Sequence, residues 1–432
     1  MTTHTACVNL CTGPGCEGAW PAARIGAHSG DLWIGDRDAW GDADLRWLGA
    51  DDDGADWVTA VADGRLFVGQ PEVGRVAWTT RRGAEFTKQF EADGEVRGPV
   101  GFGATVVATD LDADGAVDLV VGSPREGLGA GRVSIYLDIL ADQAVDAEID
   151  GGSPGDGLGS AVAACGDVDG DGLPDLAIGA PGFTGPTGDD PPPLAGGVWV
   201  VHRAESGVIA ASGGALGGAT GVWSMDRAAG FGTAIACNTD LDGDGRADLV
   251  IGSPTGGAGG RAEILSGATL VAGPASAQAS FVLQGVQGAR IGATVAAADV
   301  SGDGVADVMV GADGGRGQAV VLAGPGWDEV ARLSLPDDHA GADHFGRTLT
   351  AADVDGDGTA DLLAGTPEWH DAVGWDAGRL WLWYGGEALA QGPDATITST
   401  QPFARIGRGM SVGDLDGDGV DDVVLPARTR AR

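Results

Sequence analysis

"DVDGDGLPDLAIGAP", residues 167–181, opens on a comb of aspartates and closes on a short apolar run. Asp167, Asp169, Asp171 and Asp175 fall at positions 1, 3, 5 and 9 of the loop, with Gly172 at position 6. A hard cation such as Ca2+ takes six to eight oxygens at about 2.3–2.6 Å, and alternate carboxylates in one tight turn can supply them. Glycine at position 6 admits a backbone conformation that is costly for a residue carrying Cβ. An EF-hand loop would continue to a Glu at position 12 and lie between helices. Here an apolar, strand-like run follows position 9 at once, so a helix-moving calcium switch is a poor fit.

The comb recurs at Asp110, Asp240, Asp299, Asp353 and Asp414, so the six starts are 57, 73, 59, 54 and 61 residues apart. Ahead of each stands a hydrophobic–Gly pair: Phe102-Gly103, Leu158-Gly159, Phe231-Gly232, Ile291-Gly292, Phe345-Gly346 and Ile406-Gly407. Behind most comes a run such as "DLVVGSP", "DLAIGAP", "DLVIGSP" or "DLLAGTP". A third strand is expected after a glycine ("GRVSIYL" at 131, "GVWVVH" at 197, "GRLWLWY" at 378) and a weaker fourth in "DAEID" at 146, "ASFVLQ" at 279 and "ATITS" at 395. Four short antiparallel strands per unit make one propeller blade, because a lone sheet of this size must bury its faces against neighbours. The fold class expected is therefore all-β, a β-propeller of four-stranded antiparallel blades.

Seven blades are expected. The unit from Ile406 supplies only two strands, and "GDLWIGD" from Gly30 with "DADLRWL" from Asp42 would complete it, removing an exposed edge. One further blade is expected from "WVTAVAD" at 57, "RLFVGQP" at 65, "GRVAWTT" at 74 and "AEFTKQF" at 84. "DDDGAD" at 51–56 imitates a comb but precedes its blade's first strand, and the place of the comb holds only "ADGR" at 62–65, so no tightly bound cation is expected there. The domain reading is a Cys-containing tail over 1–28, a propeller over 29–426 in which 29–49 pairs with 406–426, and a short tail over 427–432.

The hydrophobic–Gly opening, the DxDxDGxxD loop and the "VVGSP"-type ending together resemble FG-GAP repeats, the units of the integrin alpha-subunit propeller and of many bacterial surface proteins. By that resemblance each comb is a calcium site holding up to six Ca2+ in all, with four Asp side chains and one carbonyl apiece. The positions implied are Asp110, Asp112, Asp114, Ala116 and Asp118; Asp167, Asp169, Asp171, Leu173 and Asp175; Asp240, Asp242, Asp244, Arg246 and Asp248. They continue with Asp299, Ser301, Asp303, Val305 and Asp307; Asp353, Asp355, Asp357, Thr359 and Asp361; Asp414, Asp416, Asp418, Val420 and Asp422. Ser301 brings oxygen without charge, so its loop is expected to be the weakest. Four carboxylates in one turn repel, so calcium should stabilise each blade that binds it. No His stands beside a comb in the sequence, and a catalytic metal would need an open position and an acid–base partner.

The formal charge of −38 excludes nucleic acid and an anionic membrane surface as partners, since both need a basic footprint. No run of about 18 apolar residues is present, so no membrane insertion is expected. "MTTHTACVNL" lacks the pattern of a signal peptide. Cys7, Cys11 and Cys16 cluster with His4, as a zinc site or, better, a disulfide-tied tail, while Cys165 and Cys237 stand alone in the sequence.

Strand order puts the combs on one face and the loops between strands two and three, and between blades, on the other. The resemblance places ligands on that other face, with a protein or glycan as partner. Candidate contacts there are Trp369, His370 and Trp375 in "PEWHDAVGWDAG", with His344 nearby; the competing reading has these Trp folding back over the blade edge. No HExxH, P-loop or nucleophile motif occurs, so the chain reads as a non-enzymatic extracellular or cell-surface recognition and adhesion module. The alternatives are a glycan-binding lectin and a carbohydrate-active enzyme, a polysaccharide lyase or hydrolase on a calcium-laced propeller.

Overall fold

Each repeat folds as the spacing predicts, because its second strand is apolar on both faces and must be covered from both sides. In the computed structural model, which describes residues 22–25, 31–35, 45–47, 57–80, 92–184, 195–202, 219–226, 229–335, 344–369, 376–386, 389, 392–399, 403–415 and 417–426, the runs Asp118–Ser123, Asp248–Ser253, Asp307–Ala312 and Asp361–Thr366 are buried at every residue. The first strands, such as Val58–Ala62 and Ala161–Ala164, are only half-buried. They are short and rich in Ala, Thr and Val, which suits strands packed closely beside one another.

Six blades are each built from one continuous stretch of chain. Blade 1 comprises Val58–Ala62, Arg65–Gln70, Arg75–Thr80 and Gly94–Arg97; blade 2 comprises Thr105–Thr109, Asp118–Ser123, Arg132–Tyr136 and Ala147–Asp150. Blade 3 holds Ala161–Ala164, Leu176–Ala180, Gly197–Val201 and Ala219–Trp223, and blade 4 holds Ala234–Thr239, Asp248–Ser253, Arg261–Leu265 and Phe281–Gln284. Blade 5 holds Ile291–Ala298, Asp307–Ala312, Gln318–Ala323 and Asp328–Leu333, and blade 6 holds Thr348–Ala352, Asp361–Thr366, Arg379–Trp383 and Ala395–Ser399. These strands pair antiparallel in sequence order.

The count of contiguous blades is six, not the seven expected. The physical reason lies in the last unit, which has only Ser411–Gly413 and Asp422–Pro426 and so forms no blade by itself. A composite sheet results, in which Asp422–Pro426 pairs antiparallel with Asp31–Gly35, and that strand with Leu45–Trp47. Leu415 and Val424 pack with Leu66 and Val68 of blade 1, while Val423 and Leu425 join a cluster with Leu363 and Ile397 of blade 6.

Three further differences have local causes. The fourth strand of blade 1 is Gly94–Arg97; the "AEFTKQF" stretch at 84–90 expected to supply it lies outside the described residues. Gly94 pairs with Trp78, and a Cβ at 94 would stand 2.2 Å from the indole, so only glycine leaves the ring its place. Within the stretch read as a tail, Ala22–Ile25 adds parallel to the outer strand of blade 6. Gly273–Pro274 does the same for Ala219–Trp223 of blade 3, so these two sheets have five strands.

Cys165 and Cys237, which stand alone in the sequence, form a disulfide across a separation of 72 residues, with Cα atoms 4.7 Å apart. Cys165 directly follows the first strand of blade 3 and Cys237 lies in that of blade 4, so the bond staples two neighbouring blades. Cys7, Cys11, Cys16 and His4 lie outside the described residues, as do the 51–56 stretch and residues 185–194 of the long blade 3 loop.

Candidate metal centres

Every comb is a turn joining the first and second strands of its blade, and position 1 organises it. Asp167 Oδ1 accepts the N–H groups of Gly170 at 2.6 Å and Asp171 at 3.0 Å, and its Oδ2 accepts that of Gly172 at 2.8 Å. Asp240, Asp299 and Asp353 repeat this pattern. Position 5 closes on position 7: Asp114, Asp171, Asp244, Asp303, Asp357 and Asp418 each accept the backbone N–H two residues on. Position 6 takes the left-handed region, with φ between 84° and 90° at Gly115, Gly172, Gly245, Gly304, Gly358 and Gly419.

Position 9 is the deep end. Asp118, Asp175, Asp248, Asp307, Asp361 and Asp422 are all buried, and each accepts the position 2 N–H at 2.7–3.0 Å through Oδ2. In blades 2, 4 and 6 the other oxygen accepts a second N–H, from Asp138, Gly267 and Gly385, at the end of the third strand. Burial, with neighbouring Asp charges adding to it, drives these carboxyls above their ordinary range: Asp118 and Asp307 are raised, Asp248 is pushed up to about 6 and Asp361 to about 7. Such groups are costly as isolated anions, and a bound cation removes that cost.

The donor atoms converge. Asp110, Asp112 and Asp118 offer ligand atoms within 4.8 Å of one another, and so do Asp167, Asp169 and Asp171; Asp240, Asp242 and Asp248; and Asp353, Asp355 and Asp357. Asp307 Oδ1 is buried without a hydrogen-bond partner among the described residues, and the buried Asp175 Oδ1 faces only an imidazole nitrogen. An all-oxygen set with an orphaned buried carboxylate atom is compatible with Ca2+. In the loop from Asp414, Asp416 lies outside the described residues. In the Ser301 loop, the hydroxyl lies 3.5 Å from Asp299 Oδ1 and also hydrogen-bonds the Asp307 carboxyl. Blade 1 has no comb, only a tight turn at Asp63-Gly64 with φ of 47° and 63°.

One statement from the sequence is corrected. No histidine adjoins a comb along the chain, yet His202 Nδ1 stands 3.3 Å from Asp175 Oδ1 and 3.4 Å from Asp169 Oδ2. The signal was available in strand pairing, since Leu176 pairs with Val201 and so brings residue 202 beside residue 175. The Asp175 carboxylate raises the imidazole pKa, against the opposing effect of burial.

On the other face, Trp369 is 5% exposed and is not offered to solvent. Its ring meets Trp381 edge-on at 5.2 Å, and the Arg379 guanidinium lies 4.0 Å above it. His344 is half-buried with φ of 53°, and its Nδ1 lies 2.7 Å from the Asp313 carbonyl oxygen. His370 and Trp375 lie outside the described residues.

A propeller of repeated blades, each opened by a hydrophobic–Gly turn and an aspartate comb, defines the class. The FG-GAP repeat family matches residues 102–136, 158–201, 232–277 and 345–383, and the chain is an FG-GAP β-propeller protein resembling the integrin alpha subunit. It is 33% identical to integrin alpha-4 of Xenopus laevis over 189 residues, 43% of this chain and 17% of that one. It is 36% identical to integrin alpha-7 of Homo sapiens over 160 residues, 35% and 12% of the two chains. Phosphatidylinositol-glycan-specific phospholipase D of Rattus norvegicus is 24% identical over 386 residues, 76% of this chain and 43% of that one. The chain thus spans less than half the length of each of these relatives.

Proposed function

We propose that this protein is a calcium-stapled, non-enzymatic recognition and adhesion module that works outside the cell or at its surface. In this reading six Ca2+ occupy the combs, and the composite sheet closes the ring as a seventh blade. A protein or glycan partner docks on the face opposite the combs. The likeness to integrin alpha chains supports the reading, and no helix among the described residues is long and apolar enough to cross a membrane.

The observation that carries it is the distribution of exposed apolar side chains. Val100, Leu128, Met225, Val286 and Phe403 all lie in loops between second and third strands or between blades, which is the face opposite the combs. Leu128 is 89% exposed and Val286 76%, the two most exposed large apolar side chains among the described residues; Val271, Val145 and Leu140, in loops between third and fourth strands on the comb face, are less exposed. The most exposed apolar side chains on the loop face, with the aspartate combs on the other, suit a docking surface.

The test is binding of the calcium-loaded chain to immobilised extracellular-matrix proteins and to a glycan array, with parent and the pair Leu128→Asp, Val286→Asp. Binding that the pair loses, without a change in melting temperature, supports the reading. A glycan ligand retained by the parent alone would make it a lectin. Cleavage of a polysaccharide or of a phosphodiester lipid anchor by the purified chain would overturn the non-enzymatic reading.

A further inference from the structure

The comb of blade 3 differs from the others in what stands over it. His202 is the first residue after the third strand, a register position filled by Leu137 in blade 2, Ser266 in blade 4, Ala323 in blade 5 and Tyr384 in blade 6. Its Nε2 lies 3.1 Å from Thr220 Oγ1, which fixes the ring and turns Nδ1 toward the loop. There Nδ1 faces Asp175 Oδ1 at 3.3 Å and Asp169 Oδ2 at 3.4 Å. Asp175 is 1% exposed, and its Oδ1 and the His202 Nδ1 are buried facing each other, with no further hydrogen-bond partner for either atom among the described residues. With Nε2–H donating to Thr220, a nitrogen lone pair would point at two carboxylate oxygens. A proton on Nδ1, giving an imidazolium–carboxylate pair, or a shared metal cation resolves that arrangement.

Asp169, Asp175 and His202 bring one nitrogen and two carboxylate oxygens within 4.8 Å of one another. Donor atoms bound at about 2.0–2.2 Å to one ion stand about 3.0–3.5 Å apart, which is the spacing seen here. The distances would also suit Ca2+; the donor type decides. Ca2+ takes oxygen ligands, whereas imidazole suits the zinc group of divalent ions. The bond from Nε2 to Thr220 is the outer-shell contact that orients a metal-binding imidazole.

We infer that the blade 3 comb is a mixed nitrogen–oxygen site for a transition-series divalent cation of the zinc kind, held by Asp169, Asp175 and His202. This rests on the reading of the combs as cation sites and departs from it in the metal. The other combs keep calcium.

The experiment compares the full chain with His202→Ala, each dialysed against Zn2+ in the presence of excess Ca2+, followed by metal analysis. The parent is expected to retain one more equivalent of Zn2+ than the variant, so zinc held by the cysteines near the N-terminus cancels in the comparison. Co2+ in place of Zn2+ should give a visible absorption band that the variant lacks, while calcium content elsewhere stays unchanged. Equal zinc content and equal cobalt spectra in the two proteins would overturn the inference, as would no zinc uptake by the parent, the result expected of a simple imidazolium–carboxylate pair. A chain that takes up no calcium yet keeps the His202-dependent zinc would overturn the calcium reading and leave this one standing.

Discussion

Gly311, in the second strand of blade 5, faces the carbonyl oxygen of Gly346 in the opening turn of blade 6 so closely that a Cβ at 311 would stand 2.0 Å from it. The same approach recurs between Gly69 and Gly103, Gly122 and Gly159, Gly179 and Gly232, Gly252 and Gly292, and Gly365 and Gly407, at 2.0–2.4 Å. The two glycines of the repeated phrase are therefore one dovetail, with half on each of two successive blades. A parallel bridge beside it, such as Gly317 with Phe345, completes the joint.

Substitution Gly311→Ala should therefore open the interface between blades 5 and 6. The nearest obstacle is the backbone carbonyl of Gly346, which cannot rotate aside even if the Thr294 methyl at 2.4 Å does, and overpacking of this sort costs about 1–3 kcal/mol. Equilibrium unfolding in denaturant should show the loss, while Gly315→Ala, where an added Cβ meets nothing within 4 Å, isolates the strain of a positive φ alone. Equal losses in the two variants would remove the dovetail as the cause.

Much of this was legible in the sequence, because repetition turns a weak local pattern into a strong one. The hydrophobic–Gly turn, the comb and the apolar strand each occur in the order that the blades need. What escaped was contact between residues that share no local pattern. Cys165 and Cys237 pair because each stands two or three residues ahead of its comb, at Asp167 and Asp240, on adjacent first strands. His202 reaches Asp175 only through strand register, across a long intervening loop. Trp369 left two readings open in the sequence, a surface anchor or a ring folded back over the blade edge, and Trp381 and Arg379 enclose it in the second way.

Calcium removal should expose the cost of the buried position 9 carboxyls, and pH gives it a sign. Asp361 and Asp248 have ordinary values of 3.8 but are pushed up to about 7 and about 6 in the metal-free fold, by burial first. Between 3.8 and those values the folded chain holds protons that the unfolded chain releases, so metal-free stability falls as pH rises through that window. The chelated protein is expected to melt higher at pH 5 than at pH 8. With Ca2+ the ionised carboxyls are held by metal, so the order reverses and calcium affinity weakens on acidification. Melting curves at both pH values, with calcium and with chelator, decide it; identical pH dependence in the two conditions would remove these carboxyls from the calcium sites.

The Cys165–Cys237 bond should matter for the same joint-by-joint stability. A cross-link closing a loop of this length contributes about 2–4 kcal/mol. The double variant Cys165→Ala, Cys237→Ala should unfold at lower denaturant, and reductant should move the parent toward it but leave the variant unchanged. A reductant effect that persists in the variant would assign the sensitivity to other cysteines.

At position 4 of the first comb the chain departs from its own rule. Gly170, Gly243, Gly302, Gly356 and Gly417 hold that place elsewhere with φ of 72–84°, but here Ala113 does so with φ of 55°. A left-handed conformation costs a residue with Cβ roughly 1–2 kcal/mol, part of which glycine returns as lost freedom on folding. Ala113→Gly is therefore expected to stabilise the chain by about 0.5–1 kcal/mol, against the usual direction of an Ala-to-Gly change. Denaturant unfolding measures it, with Ala108→Gly, in the half-buried first strand of the same blade, as the control that should destabilise. If both substitutions lower stability, the loop carries no strain at Ala113, and the other combs prefer glycine there for some reason besides backbone conformation.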